Sequence, residues 1–84
     1  MTYTRTIFIV GHRYRVKQDF VNGGRFRFFS GEVVRFQRDS YSHYDNCFVY
    51  VFSSARDGAE KEWWLSEEQS LEIWRDYFEP LGLD

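Results

Sequence analysis

Three side chains of this sequence have the chemistry of a nucleophile or a soft metal ligand: His12, His43 and Cys47. His43 and Cys47 lie four positions apart without a second pair of ligands nearby, whereas structural zinc sites take four ligands. Cys47 opens an apolar segment, and buried cysteines usually behave as small inert hydrophobes. The sequence therefore predicts no metal site, no catalytic Cys–His pair and no cofactor.

Glycine-rich phosphate-binding loops are also missing from the sequence pattern. Gly23-Gly24 follows a predicted strand but does not open a helix, as a phosphate-binding loop would. Without an activated nucleophile, a metal-ligand set or such a loop, we expect a protein that is not an enzyme.

Carboxylates and aromatic side chains offer the chemistry of protein binding instead. The segment 57–68 surrounds Trp63 with glutamates, and an aromatic anchor ringed by acidic groups suits a basic protein surface. The segment 41–46 has the tyrosine, serine and asparagine composition of adaptable recognition loops. An ordinary solvated surface over core tryptophans is the alternative for each residue. The predicted partner-binding residues are Tyr41, His43, Tyr44, Asp45, Asp57, Glu60, Glu62, Trp63, Glu67 and Glu68.

The segment 25–38, RFRFFSGEVVRFQR, raises a second binding hypothesis. Its arginines and phenylalanines are those of a basic groove with stacking platforms for single-stranded nucleic acid. However, acidic residues outnumber basic ones by 13 to 11, and affinity for nucleic acid comes largely from neutralising phosphates. The same alternation is typical of half-buried strands, whose arginines form the solvated face.

Charge is distributed unevenly along the chain. Residues 1–38 carry eight basic and two acidic residues, and residues 39–84 carry three and eleven, so the halves have net charges of +6 and −8. The halves either neutralise each other as neighbouring strands or form separate basic and acidic faces. The sequence leaves both arrangements open.

Length and composition indicate one domain spanning residues 1–84. Nine Phe, six Tyr and three Trp supply a core without a metal or a disulfide. A single cysteine fits a reducing compartment, and the apolar run at residues 7–10 is too short to span a membrane. We therefore expect a soluble, cytoplasmic protein that binds no membrane.

Short strands separated by turns account for most of the predicted structure. An apolar run within residues 1–11 suggests an edge strand. From Tyr14 to Phe20 apolar and polar residues alternate, which predicts a half-buried strand, and alternation resumes over residues 32–38. Residues 47–52 are apolar throughout, as in a strand covered on both faces, and residues 62–65 form the returning strand. The predicted turns are Asn22-Gly23-Gly24, Ser30-Gly31 and Asp57-Gly58.

A short C-terminal helix over about residues 66–79 is predicted by three signals. Ser66 and Gln69 have the spacing of a capping box, and glutamates follow Ser66 where the helix dipole favours negative charge. Leu71, Trp74 and Phe78 share one helical face. Pro80 then ends the helix.

The segment 26–36 resembles the end of the long first loop in SH3 domains. There an apolar–x–apolar–x–x–Gly–Glu/Asp–x–apolar–x–apolar run forms a diverging turn, and alternate residues enter the core. The matching residues are Phe26, Phe28, Gly31, Glu32, Val34 and Phe36. The resemblance implies a small SH3-like barrel of four to five antiparallel strands, to which the C-terminal helix is appended.

The polyproline-binding elements of SH3 domains are absent from this chain. The aromatic–Asp–Tyr motif of the first strand and the Pro-Ser-Asn-Tyr near the end are missing, and the adjacent tryptophans come one strand later. Small bacterial domains of unknown function with an SH3-like barrel and a terminal helix are similar. A small, non-catalytic, acidic-faced domain is what a bacterial immunity protein needs to inhibit a toxin with a basic active-site cleft. Alternatives are a regulatory adaptor and a single-stranded nucleic-acid-binding barrel.

Overall fold

A computed structural model describes residues 7–83 of the chain, apart from the side chain of Leu71. Antiparallel strands dominate these residues, and the predicted mainly β class is confirmed. The elements are β1 Arg13–Val16, β2 Phe20–Asn22, β3 Phe26–Phe28, β4 Val33–Ser42, β5 Cys47–Ser54, β6 Glu60–Ser66, a 3₁₀ helix Leu71–Asp76 and β7 Phe78–Gly82.

Five of the strands form one sheet in the order β6-β5-β4-β1-β7, and β2 and β3 form a separate hairpin. The buried strand predicted at 47–52 and the returning strand predicted at 62–65 are both present, although they are longer than predicted, as Cys47–Ser54 and Glu60–Ser66. The predicted closure into a barrel is not observed, because β6 and β7 remain the two edges of an open sheet. Residues 7–83 form seven strands rather than the predicted four to five, because Lys17–Asp19 interrupt the first alternating segment and β7 forms where the end of the helix was predicted.

Asn22 joins the hairpin to the β6 edge. Its side-chain oxygen accepts a hydrogen bond from the Trp64 amide at 2.5 Å, and its side-chain nitrogen donates to the Trp64 carbonyl at 3.2 Å. A side-chain amide thus takes the place that a neighbouring strand would have along an unpaired edge. The hairpin consequently covers part of β6 without extending the sheet.

Aromatic rings fill the space between the sheet and the hairpin. Phe8 is 1% exposed, and its ring centroid lies 4.9 Å from that of Phe52 and 5.4 Å from that of Phe78. The expected N-terminal edge strand is not found at residues 7–11, where a turn places Phe8 in the core instead. Residues 1–6 of that segment lie outside the described residues.

Glu32 follows the predicted turn at Ser30-Gly31 and forms a buried polar cluster. Its carboxylate accepts hydrogen bonds from Lys61 Nζ at 2.7 and 2.8 Å, Ser54 Oγ at 2.8 Å and the Phe29 amide at 3.1 Å. Burial acts to raise the pKa of Glu32, but these hydrogen bonds and the Lys61 charge outweigh it and lower the pKa. The cluster ties the β3–β4 turn to β5 and β6.

The predicted helix over residues 66–79 is wrong. The capping residues do interact: Gln69 Oε1 accepts from the Ser66 amide at 3.0 Å, and the Gln69 amide donates to the Ser66 carbonyl at 2.9 Å. These contacts close a tight turn after β6, and extended Ser70 caps only the six-residue 3₁₀ helix. Phe78 is buried in the core and pairs with Val16 of β1, so β7 begins where the sequence predicts that the helix continues. Within residues 7–83, no helix has the length and apolar character to cross a membrane.

Candidate functional site

The structure does not gather the histidines and the cysteine into one site. His12 precedes β1, whereas His43 and Cys47 lie near the β4–β5 turn. The His43 ring packs edge-on against Tyr41, with centroids 5.0 Å apart. Among the described residues, no three His, Cys, Asp or Glu side chains are grouped as a metal site.

Two predicted binding segments do meet at one end of the sheet. The Glu67 amide donates to the Asn46 carbonyl at 3.1 Å, and the Tyr41 hydroxyl donates to Glu67 Oε2 at 2.7 Å. Tyr44 is fully exposed in the β4–β5 turn. We call this region the acidic end; it comprises Tyr41, His43, Tyr44, Asp45, Glu67 and Glu68.

Other predicted binding residues lie elsewhere. Asp57 caps the β5–β6 turn by accepting from the Ala59 amide at 2.9 Å, and Glu60 pairs with Arg38 at 3.2 Å. Both residues are separated from the acidic end by the length of β6. A strand of that length spans about 20 Å at the usual rise per residue. The carboxylates predicted as one face are therefore divided between two ends of the molecule.

Trp63 cannot serve as the predicted surface anchor. It is 2% exposed, and its ring packs against Phe78 with centroids 5.4 Å apart. Alternation along β6 instead directs Trp64 away from the core, where it is half-buried. The Trp64 indole nitrogen donates to Glu62 Oε1 at 2.9 Å, so Trp64 rather than Trp63 combines partial exposure with an acidic neighbour.

An open groove of about 520 Å³ runs beside Trp64. The hairpin tip forms one wall, the start of β5 and the preceding turn form the second, and the end of β6 with the following turn forms the third. Its lining residues are Gly23, Arg25, Phe26, Asp45, Cys47, Trp64, Ser66 and Gln69. The groove thus adjoins the acidic end, with which it shares Asp45.

The pKa of the Cys47 thiol shows that this wall of the groove is negatively charged. Burial raises the pKa of the Cys47 thiol, and the negative charges of Asp45 and Glu67 raise it further. The thiol donates a hydrogen bond to the Asp45 carbonyl at 3.2 Å. A raised pKa disfavours the thiolate that a nucleophilic cysteine needs, and the same carboxylates favour a positive charge near this wall.

The basic residues of the nucleic-acid hypothesis do not share one groove. Arg25 lines the groove beside Trp64, whereas Arg27 borders a different surface with Phe29. On β4, Arg35 donates to the Gly11 carbonyl at 2.5 Å and Arg38 is paired with Glu60. Pairs such as Arg15–Glu79, at 3.0 Å, also join the basic half of the sequence to the acidic half.

The sequence pattern alone does not reveal Asn22 as a positioning residue or Arg25 as a groove residue. Asn22 is of a residue type that is common in turns, and Gln69 has the spacing of a helix cap. Asn22 bonds the backbone of Trp64 in β6, a long-range contact that local spacing does not encode. The Gln69–Ser66 contact has the predicted capping-box spacing but closes a turn rather than beginning a helix. Arg25 alternates with phenylalanines as the other arginines of the 25–38 segment do, so the sequence pattern does not distinguish it from them.

No protein-family model matches this chain, and no curated protein matches it. Among solved structures, an integron cassette protein from the mobile metagenome of Vibrio cholerae is similar, with a TM-score of 0.69 and 24% sequence identity. The match covers 89% of this chain and 87% of the cassette protein. At this identity the likeness is one of fold.

Proposed function

We propose that this chain is a non-catalytic protein-binding domain that uses its acidic end to bind one basic protein partner. The observation that carries the proposal is the meeting of the β4–β5 turn with the segment after β6, held by the Tyr41–Glu67 and Glu67–Asn46 hydrogen bonds. These bonds fix carboxylates beside an exposed tyrosine and an open groove. A preorganised acidic surface speeds association with a basic partner and excludes acidic ones.

The fold that we propose for this domain is an SH3-like barrel in which the β2–β3 hairpin substitutes for full hydrogen-bonded closure. Support comes from the segment whose sequence resembles the SH3 turn. Gly31 has a positive φ of 86°, and Phe28, Val34 and Phe36 alternate into the core. Glu32 is buried beside the turn, and Asn22 fastens the hairpin to β6.

Within this class, the specific role that we propose is that of a cytoplasmic immunity protein. A toxin with a basic active-site cleft offers a surface complementary to the acidic end, and an inhibitor of such a cleft needs stability and charge rather than catalytic groups. The raised pKa of the Cys47 thiol accords with a domain that performs no thiol chemistry. The single cysteine fits a reducing compartment.

Expression of the gene neighbouring this one tests the role. We expect its product to arrest growth of a host, and co-expression of this chain to relieve the arrest through a stoichiometric complex. A neighbouring product that neither arrests growth nor binds the purified chain would exclude the immunity role. A matched titration with single-stranded RNA should show only salt-sensitive binding in the non-specific range of about 10⁻⁴ to 10⁻⁶ M.

A further inference from the structure

The groove beside Trp64 contains both an acidic and a basic group, which lie on opposite sides of it and on different elements. Asp45 belongs to the wall formed by the β4–β5 turn, where Glu67 is also close enough to affect the Cys47 thiol. Arg25 belongs to the exposed tip of the hairpin, between Gly24 and Phe26. The acidic charge is therefore part of the fixed wall, and the basic charge is carried on a long side chain at the opposite rim.

Two aromatic residues, Phe26 and Trp64, line other parts of the groove. The Trp64 indole N–H donates a hydrogen bond to Glu62, so the face of the ring is the part that can contact a ligand. The guanidinium of Arg25 already lies over the Phe26 ring, 5.0 Å from its centroid. A cation over an aromatic face is favourable, and more so when a carboxylate lies near. The groove thus holds one of the chain's own cations against its aromatic wall.

We propose that this groove receives one arginine or lysine side chain of the partner between Trp64 and Asp45, and that Arg25 competes with it. The inference rests on the proposed function and adds the chemistry of the contact and a residue that sets its strength. Arg25 repels an incoming cation and occupies aromatic surface that the cation would use. Its removal should therefore strengthen binding of a basic guest, although it removes a charged side chain from the site.

A titration monitored by NMR tests this inference with a defined probe and without a partner. The probe is N-acetyl-arginine amide, and its neutral isostere N-acetyl-citrulline amide is the control. We expect the arginine probe to shift the Trp64 indole N–H resonance with a dissociation constant of about 1 mM, reasonable for a ligand of this size. Citrulline amide should bind at least about tenfold more weakly, because it lacks the charge.

Variants separate the roles of the two charged groups. Arg25→Ala should tighten binding of the arginine probe about threefold, whereas Arg27→Ala makes the same change in net charge on the same hairpin and should leave it unaltered. Asp45→Asn should weaken binding, and Asp57→Asn, at the far end of β6, should not. Equal tightening by Arg25→Ala and Arg27→Ala would overturn the competing role of Arg25.

Labelling of Cys47, the single cysteine of the chain, provides a second measurement. We compare the labelling rate of a cationic methanethiosulfonate with that of an anionic one. The ratio of the two rates should be about tenfold higher for Cys47 than for a free thiol in solution, because the wall attracts cations. The ratio cancels the low thiolate fraction. Equal binding of the arginine and citrulline probes, binding of neither, or a labelling ratio at the free-thiol value would refute the inference. None of these results involves the partner, so the proposed function would stand or fall separately.

Discussion

At the scale of single residues, Glu32 shows how this small domain buries a charge. Its side chain is 2% exposed, and that of Lys61 is 16% exposed. Lys61 also donates to the Arg27 carbonyl at 2.7 Å and lies 5.4 Å from the Phe28 ring centroid. A buried carboxylate is stable only when its oxygens are satisfied, and here donors from two strands, β5 and β6, and from the β3–β4 turn satisfy them.

Glu32→Gln should destabilise the protein by about 3 kcal/mol, at the low end for breaking a buried pair because Lys61 keeps some access to water. Urea unfolding followed by tryptophan fluorescence measures the loss. Glu79→Gln, which breaks an exposed pair with Arg15, is the matched control and should cost no more than about 1 kcal/mol. Equal costs for both variants would mean that the buried cluster contributes nothing special.

The pH dependence of stability follows from the lowered pKa of Glu32. The unfolded state takes up a proton near pH 4.5, whereas the folded state resists protonation until the pH is lower. The stability from the Glu32 contacts is therefore full above pH 4.5 and is lost as the pH falls through the folded pKa. The difference in unfolding free energy between the wild type and Glu32→Gln should shrink over that acidic range. A difference that stays constant down to pH 2 would contradict this assignment.

At the scale of elements, the β3–β4 turn depends on one glycine. Gly31 has φ +86°, and a Cβ built there would meet no atom within 4 Å. The cost of substitution is consequently that of the backbone conformation alone, about 1–2 kcal/mol for a residue with a Cβ and more for a β-branched one. We expect stability to fall in the order Gly31→Asn, Gly31→Ala, Gly31→Val in thermal melts. A Val variant that melts with the wild type would show that the turn does not need this conformation.

The attachment of the hairpin depends on Asn22. Asn22→Ala removes both hydrogen bonds to Trp64 and should destabilise the fold by about 1–3 kcal/mol, because the Trp64 backbone groups lose their partners. Amide hydrogen exchange at Trp64 should accelerate. Asn22→Asp keeps the acceptor and loses the donor, so its effect should be intermediate. If Trp64 exchange is unchanged in Asn22→Ala, the hairpin is held by its rings alone.

Local patterns predicted the strands and turns but not the long-range contacts. Tyr14, Val16, Val34 and Phe36 are buried as their period-two spacing indicates, and Gly23, Gly31 and Gly58 have the positive φ expected of their turns. The helix at 66–79 failed because i, i+3 spacing also fits a 3₁₀ turn followed by a strand, and only pairing with β1 decides between them. For the site, the sequence predicted one acidic face over residues 41–45 and 57–68, whereas the length of β6 separates Asp57 and Glu60 from Glu67. Trp63 and Trp64 are adjacent in sequence, and only the face of β6 from which each side chain projects distinguishes them.

At the scale of the whole molecule, the unequal charge of the two sequence halves is partly resolved by pairing. Arg15 with Glu79, Arg38 with Glu60 and Lys61 with Glu32 each join one half to the other. Asp45 and Glu67 have no such pairing with a basic residue among the contacts of residues 7–83; their hydrogen bonds come from Ser42 and Tyr41. The acidic end is thus where negative charge is left for a partner.

The most direct test of that account is a binding titration of the neighbouring gene's product with two charge-reversed variants. In one, Asp45, Glu67 and Glu68 become Lys; in the other, Asp57, Glu60 and Glu79 become Lys, which makes the same change in net charge away from the acidic end. We expect the first variant to weaken the complex at least about a hundredfold, since removing one member of a buried charge pair costs about 2–5 kcal/mol. The second should weaken it less than about tenfold and act mainly on the association rate. Loss of binding in the second variant with retention in the first would contradict the assignment of the acidic end as the binding surface.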